Sequence, residues 1–154
     1  MHSEMSKNNP INFKLRKTDY SDYKVLVIKT KWNSEIIAPM VDDCLKELKN
    51  QKIVPEIISV PGAYEIPFIA NKKASKFDLI ITLGAIIRGE TPHFDIIAQT
   101  ISDSIMQTSL NKDTPIIFGV LTTNNIDQAK ERAAQKGSEL TLSGLNILDN
   151  LSDD

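Results

Sequence analysis

Cysteine and long hydrophobic runs are scarce in this chain, and each shortage excludes a class of protein. Cys44 is the single cysteine, so no intrachain disulfide can form and a cysteine-based metal site is disfavoured. No apolar run approaches the ~20 residues that a membrane-spanning helix needs, and residues 1–10 lack the apolar core of a signal peptide. We therefore expect a cytoplasmic protein, in a compartment where thiols stay reduced.

Excess positive charge and glycine-rich phosphate loops are missing as well. The 18 lysine and arginine residues are outnumbered by 20 aspartate and glutamate residues, and the net charge of −2 argues against nucleic acid as the main partner. Because the chain has no Walker-type loop and no dinucleotide fingerprint, a bound phosphate would belong to a small substrate. The two histidines, His2 and His93, are far apart and lack a carboxylate cluster at ligand spacing, which predicts no metal site.

The length and composition of the chain predict one soluble globular domain. It has 154 residues, of which 41% are hydrophobic and 25% charged, which is enough to form a real core. We assign residues 1–20 to an N-terminal arm, 21–150 to the domain and 151–154 to a C-terminal tail. No internal repeat or low-complexity tract marks another boundary.

Four short, β-branched apolar runs alternate with helical patterns. The runs are continuous rather than alternating, which is typical of strands buried on both faces, and they lie at residues 25–28, 57–60, 79–83 and 116–121. Apolar spacing predicts helices near residues 37–48, 66–70, 97–108, 126–135 and 140–148, with a hinge at Gly137 between the last two. Pro39 predicts that the first helix starts late or kinks early. The pattern predicts an α/β fold, a three-layer αβα sandwich with a four-stranded parallel sheet in flavodoxin-like order.

In such a fold, the chemically unusual segments converge. The carboxyl ends of parallel strands share one edge of the sheet, so residues 30–33, 61–65, 86–93 and 122–125 are expected to meet there. The segment 83–95 is the most informative, because an apolar run ends in a glycine-containing loop with Arg88, Thr91 and His93. This edge is therefore the predicted site for a small anionic molecule.

Several side chains at this edge have both a binding and a structural interpretation. Trp32 either stacks on a heteroaromatic ring or covers the sheet edge. For Tyr64 we favour the core over a pocket wall, and for Glu65 we favour interaction with a helix dipole over bonds to ligand hydroxyls. Arg88 is expected to form a structural ion pair rather than bind phosphate. His93 is equally readable as an acid–base group or as a structural residue.

Three later residues also have competing interpretations. Phe118 lies within an apolar run, so core packing is its default assignment. Arg132 and Lys136 are four residues apart and share one face of a helix. We favour the interpretation that both side chains extend into solvent over the alternative that they clamp a phosphate.

Taken together, the segments resemble the lumazine synthases, which catalyse the penultimate step of riboflavin synthesis. The matching segments are residues 60–67 (VPGAYEIP), 83–95 (LGAIIRGETPHFD) and 115–123 (PIIFGVLTT), with shorter matches at 32–33, 131–133 and 136–137. The resemblance runs from about residue 24 to 148. It implies the condensation of 5-amino-6-ribitylaminouracil with 3,4-dihydroxy-2-butanone 4-phosphate, without a cofactor and with release of phosphate.

The resemblance also implies a role for individual residues. His93 matches the proton donor, and Trp32 matches the aromatic residue that stacks on the pyrimidine. Glu90, Thr91 and Arg132 match the positions that meet the butanone phosphate. The remaining substrate contacts implied by the family fall on Ala63, Tyr64, Glu65, Ala85, Ile86, Ile87, Phe118 and Lys136.

The family resemblance implies a homopentamer with active sites shared between subunits. Phe118 would reach a neighbour's site, and many relatives assemble further into sixty-subunit shells. This chain differs in its short connection between Arg132 and Lys136 and in its long N-terminal arm, so we expect a pentamer. Riboflavin synthase is a further partner that the family suggests. The alternatives to an enzyme are a non-catalytic pteridine- or flavin-binding protein and a structural shell protein.

Overall fold

A computed structural model describes residues 13–152 of the chain. Most of the expected N-terminal arm and the last two residues of the expected tail lie outside the described residues. The elements in chain order are β1 (Val25–Thr30), α1 (Ser34–Asn50), β2 (Glu56–Val60), α2 (Ile66–Lys73), β3 (Leu79–Ile87), α3 (Phe94–Lys112), β4 (Ile116–Thr123) and α4 (Ile126–Leu151). Short 3₁₀ turns at Ala63–Glu65 and Ala74–Lys76 flank α2.

The four strands form one parallel sheet in the order β2-β1-β3-β4. Side chains alternate between its two faces, as the pleat of a strand requires. Val25 and Val27 point into a core that includes α1 and α4, whereas Leu26 and Ile28 point into a second core formed with α2 and α3. The predicted α/β sandwich with a flavodoxin-like sheet is therefore confirmed.

The strands differ from the sequence expectation at their ends and at the sheet edges. β3 continues through Gly84 to Ile87 and is buried along its whole length, and β4 continues to Thr123. The expectation that every strand is buried on both faces was wrong for β2, where Glu56, Ile57 and Ser59 are exposed. β2 is an edge strand of the sheet, so the packed layers on the two faces cover it less completely than the central strands β1 and β3.

α1 begins before its proline, and α4 is one unbroken helix. Pro39 lies inside α1, five residues after the first helical residue, so the expectation of a late start was wrong. The expected hinge at Gly137 was also wrong, because α4 runs continuously from Ile126 to Leu151. A Cβ atom at Gly137 would lie 2.3 Å from the carbonyl oxygen of Met40 and 2.6 Å from Cβ of Asp43. This glycine permits close packing of α4 on α1.

The segment before β1 is fastened to the far end of α4 by buried polar groups. Tyr20 is fully buried, and its hydroxyl donates to Oδ1 of Asp149 at 2.8 Å. The backbone N–H of Arg16 donates to Oδ2 of the same carboxylate at 3.0 Å. Buried polar atoms need such partners, so these bonds fix the entry of the chain into the sheet.

The single thiol gives a testable dependence of stability on pH. Burial raises the pKa of Cys44 from 9.0 to about 11, against a smaller opposing effect of a hydrogen bond with Thr141. The folded protein therefore holds this proton at pH values where the unfolded chain has released it. Its contribution to stability is complete below pH 9.0 and declines as the pH rises towards about 11, by up to roughly 3 kcal/mol.

Urea unfolding at pH 8 and pH 10, for the wild type and for Cys44→Ala, measures this contribution. The wild type is expected to lose more stability than the variant over this interval, since the other titrating groups are common to both. A thiol reagent at pH 8 is expected to modify Cys44 only when the protein unfolds. Equal losses in both proteins, together with fast labelling of the native state, would contradict the assignment.

Candidate active site

The loops at the carboxyl edge of the sheet are joined by main-chain hydrogen bonds. The N–H groups of Lys31 and Trp32 donate to the carbonyl oxygens of Val60 and Pro61, at 2.8 and 2.9 Å. On the other side, the N–H of Arg88 donates to the carbonyl of Thr123 at 2.8 Å. The predicted convergence of strand ends is therefore confirmed, and it rests on the parallel register.

A cleft of about 390 Å³ opens at this edge between the ends of β1 and β3. From β1 the chain crosses to β2 on one side of the sheet, and from β3 it crosses to β4 on the other side. Open parallel sheets usually bind their ligands at such a point, between the two strands where the direction of crossing changes. Most of the site residues expected from the sequence line it, namely Trp32, Ala63, Tyr64, Glu65, Ala85, Ile86, Ile87, Glu90 and Thr91. Pro92 and Ile97 line it as well and were not anticipated.

The two aromatic residues of the cleft are largely exposed. Trp32 has 66% of its surface accessible and Tyr64 has 63%, so the expectation that Tyr64 belongs to the core was wrong. The position of a Cβ at Gly62 would lie 3.4 Å from Cε3 of Trp32, so the indole lies against a residue without a side chain. Each of these exposed aromatic residues offers a flat apolar surface on which a planar ring can stack.

Glu65 combines a structural contact with a position in the cleft wall. Its Oε1 accepts a hydrogen bond from the backbone N–H of Gly62 at 2.9 Å, which stabilises the 3₁₀ turn that leads into α2. The structural role of Glu65 is thus this hydrogen bond, whereas the interaction with a helix dipole that we favoured stays a prediction. A carboxylate has several lone-pair sites, so this bond leaves acceptor capacity for ligand hydroxyls.

Asn33 is a part of the site whose role the sequence did not reveal. It occupies the N-cap position of α1 in the left-handed conformation, with φ of 62°, and makes no capping bond with its side chain. Its Nδ2 instead donates to the carbonyl of Ala85 at 3.3 Å and to Oε1 of Glu90 at 3.2 Å. The amide thus bridges the cleft from the β1 loop to β3 and to the loop beyond it. The only sequence signal was its place directly after Trp32.

His93 lies in a second, adjoining cleft of about 430 Å³. Thr91 and Pro92 line both clefts, so His93 is separated from the first cleft only by its own loop. His93 is the N-cap residue of α3, its side chain is exposed, and it makes no capping bond. The imidazole is therefore accessible at the end of a helix whose first N–H groups favour an anion.

Arg88 forms the structural ion pair that we expected. Its two terminal nitrogens donate to the two carboxylate oxygens of Asp95 at 3.3 and 3.1 Å. Its Nε donates to Oδ1 of Asn124 at 3.0 Å, and its guanidinium carbon lies 4.5 Å from the centre of the Phe94 ring. Three nitrogens and one face of this guanidinium therefore contact the protein's own groups, and half of the side chain stays exposed.

The other three expected site residues line neither of these two clefts. Phe118 is 38% exposed on β4, so its default assignment to the core was wrong. Arg132 lies at the same edge of the sheet, where it donates to the carbonyl of Thr122 at 3.3 Å. Lys136 pairs with Glu139 at 3.3 Å and its side chain is only 16% exposed, so the favoured solvated face was wrong for it.

Across residues 13–152, no three histidine, cysteine, aspartate or glutamate side chains are grouped closely enough to hold a metal ion. None of the helices in this range is long and apolar enough to cross a membrane.

The fold and the cleft define a class, a parallel α/β protein that binds small molecules at the carboxyl edge of its sheet. Comparison with known proteins then gives the family. A sequence model described as 6,7-dimethyl-8-ribityllumazine synthase matches residues 22–151. A 6,7-dimethyl-8-ribityllumazine synthase from Leuconostoc mesenteroides subsp. mesenteroides is 37% identical over 145 residues, which cover 88% of this chain and 93% of the relative. The chain belongs to the 6,7-dimethyl-8-ribityllumazine synthase family.

Proposed function

We propose that this protein is a transferase that condenses 5-amino-6-ribitylaminouracil with 3,4-dihydroxy-2-butanone 4-phosphate. The products are 6,7-dimethyl-8-ribityllumazine, phosphate and water, in the penultimate step of riboflavin synthesis. Family membership supports this reaction. The structural observation that supports it in this chain is that residues from the family-like segments 60–67 and 83–95 line one cleft.

The larger substrate is proposed to bind in the first cleft. Trp32 would stack on the pyrimidine, which Ala85, Ile86 and Ile87 would contact largely through their backbone. The ribityl chain would run along Ala63 and Tyr64 to Glu65, whose carboxylate accepts from its hydroxyls. The volume of about 390 Å³ lies within the usual range for a small-molecule site.

The phosphate-bearing substrate is proposed to bind at the boundary between the clefts. Thr91 lies on that boundary, close to the start of α3, and Glu90 stands beside it. Arg132, which lines neither cleft of its own chain, would contribute a guanidinium to the phosphate. Hydroxyl, backbone N–H and guanidinium donors together neutralise a phosphate as it departs.

The proposed reaction needs proton transfers but no redox step. The amine of the pyrimidine attacks the ketone, water is lost to give an imine, phosphate is eliminated, and the ring closes with loss of a second water. His93, in the cleft that adjoins Thr91, is proposed to move protons during these steps. Holding two substrates together is expected to supply most of the acceleration, because imine formation is intrinsically facile.

The direct test is to mix the purified protein with both substrates. We expect fluorescent lumazine and free phosphate to appear in equal amounts and at the same rate. Omission of either substrate is the control and should abolish both signals. Binding of the pyrimidine without turnover would contradict the proposed enzyme and favour a pteridine- or flavin-binding protein.

We further propose that the protein works as a cytoplasmic homopentamer with sites shared between subunits. The exposed Phe118 on β4 and the position of Arg132 outside both clefts agree with residues that complete a neighbour's site. Lys136 would approach the ribityl chain if its pairing with Glu139 is released. Riboflavin synthase, which would consume the product, is the further partner proposed.

Mass photometry tests the assembly. The expected species has a mass of about 86 kDa, five times the 17.2 kDa of one chain. A monomer that is fully active would contradict sharing of the site. A much larger particle would show a shell instead of the free pentamer.

A further inference from the structure

Arg88 occupies a central position in the loop that carries His93, although the proposed reaction assigns it no contact with a substrate. It is the first residue after β3, and its backbone N–H is bonded to the end of β4 at Thr123. Its main chain is therefore fixed to the sheet. Its side chain reaches over the first turn of α3.

The guanidinium holds the two residues that directly follow His93. It lies over the ring of Phe94 at 4.5 Å and is bonded in two-point fashion to Asp95. In a third contact, Nε of Arg88 donates to Oδ1 of Asn124 at 3.0 Å, and Asn124 lies in the loop after β4. A guanidinium is planar and has N–H donors on separate edges, so it can contact three groups at once. A lysine ammonium is a compact charge without this geometry.

Within residues 13–152, no hydrogen bond holds the side chain of His93. Its side chain makes no capping bond to α3, and its carbonyl accepts from the N–H of Ile97 at 2.9 Å within the helix. The loop before it contains Gly89, with φ of +96°, where a turn in the chain is made without a side chain. The orientation of the imidazole thus follows from the placement of the first turn of α3.

We propose that Arg88 is a positioning residue, which fixes His93 beside Thr91 by holding Phe94 and Asp95 against the ends of β3 and β4. This inference rests on the proposed function, because it assigns to Arg88 an effect on the step in which His93 moves a proton. Catalytic rates are sensitive to displacements of about 1 Å in such groups. The side chains of this ion pair are largely exposed, so we expect the pair to add little to the free energy of unfolding. Its proposed effect is to orient the first turn of α3.

Arg88→Lys is the main test, because it keeps the positive charge and removes the fork. We expect kcat to fall by about 3- to 10-fold, with little change in KM for the pyrimidine substrate. Arg88→Met should give a similar loss. Arg16→Lys is the matched control, since Arg16 lies near the far end of α4, where its backbone contacts Asp149. A wild-type rate in Arg88→Lys would overturn the proposal.

A double-variant cycle separates positioning from a general loss of structure. If Arg88 acts through His93, adding Arg88→Lys to His93→Ala should lower kcat no further. A multiplied loss in the double variant would overturn the proposal, because Arg88 would then act independently of the imidazole.

An NMR measurement on the protein without substrates tests the inference even if the protein catalyses a different reaction from the one proposed. The chain has two histidines, so His2→Gln leaves the imidazole of His93 as the single histidine signal in an NMR spectrum. Arg88→Lys is expected to broaden or shift this signal, whereas Arg16→Lys should not. An unchanged signal would overturn the positioning role even where turnover of the two substrates had failed for the wild type.

Discussion

His93→Ala is expected to lower kcat at least ~10-fold, near the lower end of the effect of a positioned acid–base group. The reaction requires protons to move during loss of water, elimination of phosphate and closure of the ring. Within residues 13–152, His93 is the single histidine. It lines a cleft that shares Thr91 with the proposed pyrimidine site. The loss stays moderate if proximity of the two substrates supplies most of the acceleration.

Steady-state kinetics with both substrates would measure this effect. KM for the pyrimidine is expected to change little, because His93 does not line the first cleft. His2→Ala serves as the control, since it removes the other imidazole of the chain. If His93→Ala turned over at the wild-type rate, the imidazole would have no part in the mechanism.

Gly137→Ala is expected to destabilise the fold strongly, although alanine is the better helix former. The added Cβ would meet the carbonyl oxygen of Met40 at 2.3 Å, Cβ of Asp43 at 2.6 Å and the backbone nitrogen of Cys44 at 3.0 Å. Two of these three atoms belong to the backbone of α1, so the helices must separate. Overpacking typically costs about 1–3 kcal/mol and occasionally more, whereas the propensity gain is at most about 1 kcal/mol.

We therefore expect Gly137→Ala to lower the free energy of unfolding by about 2 kcal/mol. Urea or thermal unfolding measures the change. Ala134→Gly, on the exposed side of the same helix, is the matched control and should cost about 1 kcal/mol from propensity alone. A Gly137→Ala protein that is more stable than the wild type would show that α4 does not pack on α1 as described.

Apolar periodicity was sufficient to predict the sheet, its first three helices and the edge at which the clefts open. Each strand is a short β-branched run, and each crossover helix has an apolar face, so burial alone selects their arrangement. The boundaries were harder to predict. Gly84 suggested the end of a strand, yet β3 continues past it because Ala85, Ile86 and Ile87 pair with β4.

The errors concern residues whose type allows two environments. Tyr64 and Phe118 suggested core, but a 3₁₀ turn and an edge strand leave them partly exposed. Gly137 is a helix breaker by propensity, and its value in close packing depends on a contact with Met40 that no local pattern encodes. The bridge made by Asn33 likewise depends on Ala85 and Glu90, more than fifty residues away.

The enclosure of Cys44 has a practical consequence for experiments on assembly. Its thiol lies between α1 and α4, fully buried, and it is the single cysteine of the chain. A cysteine introduced at an exposed position such as Lys49 would then be the one group that a thiol-reactive fluorophore or cross-linker modifies in the native protein. If the proposed pentamer forms, spectroscopic labels at this position would report distances between its subunits in a background that retains the natural core.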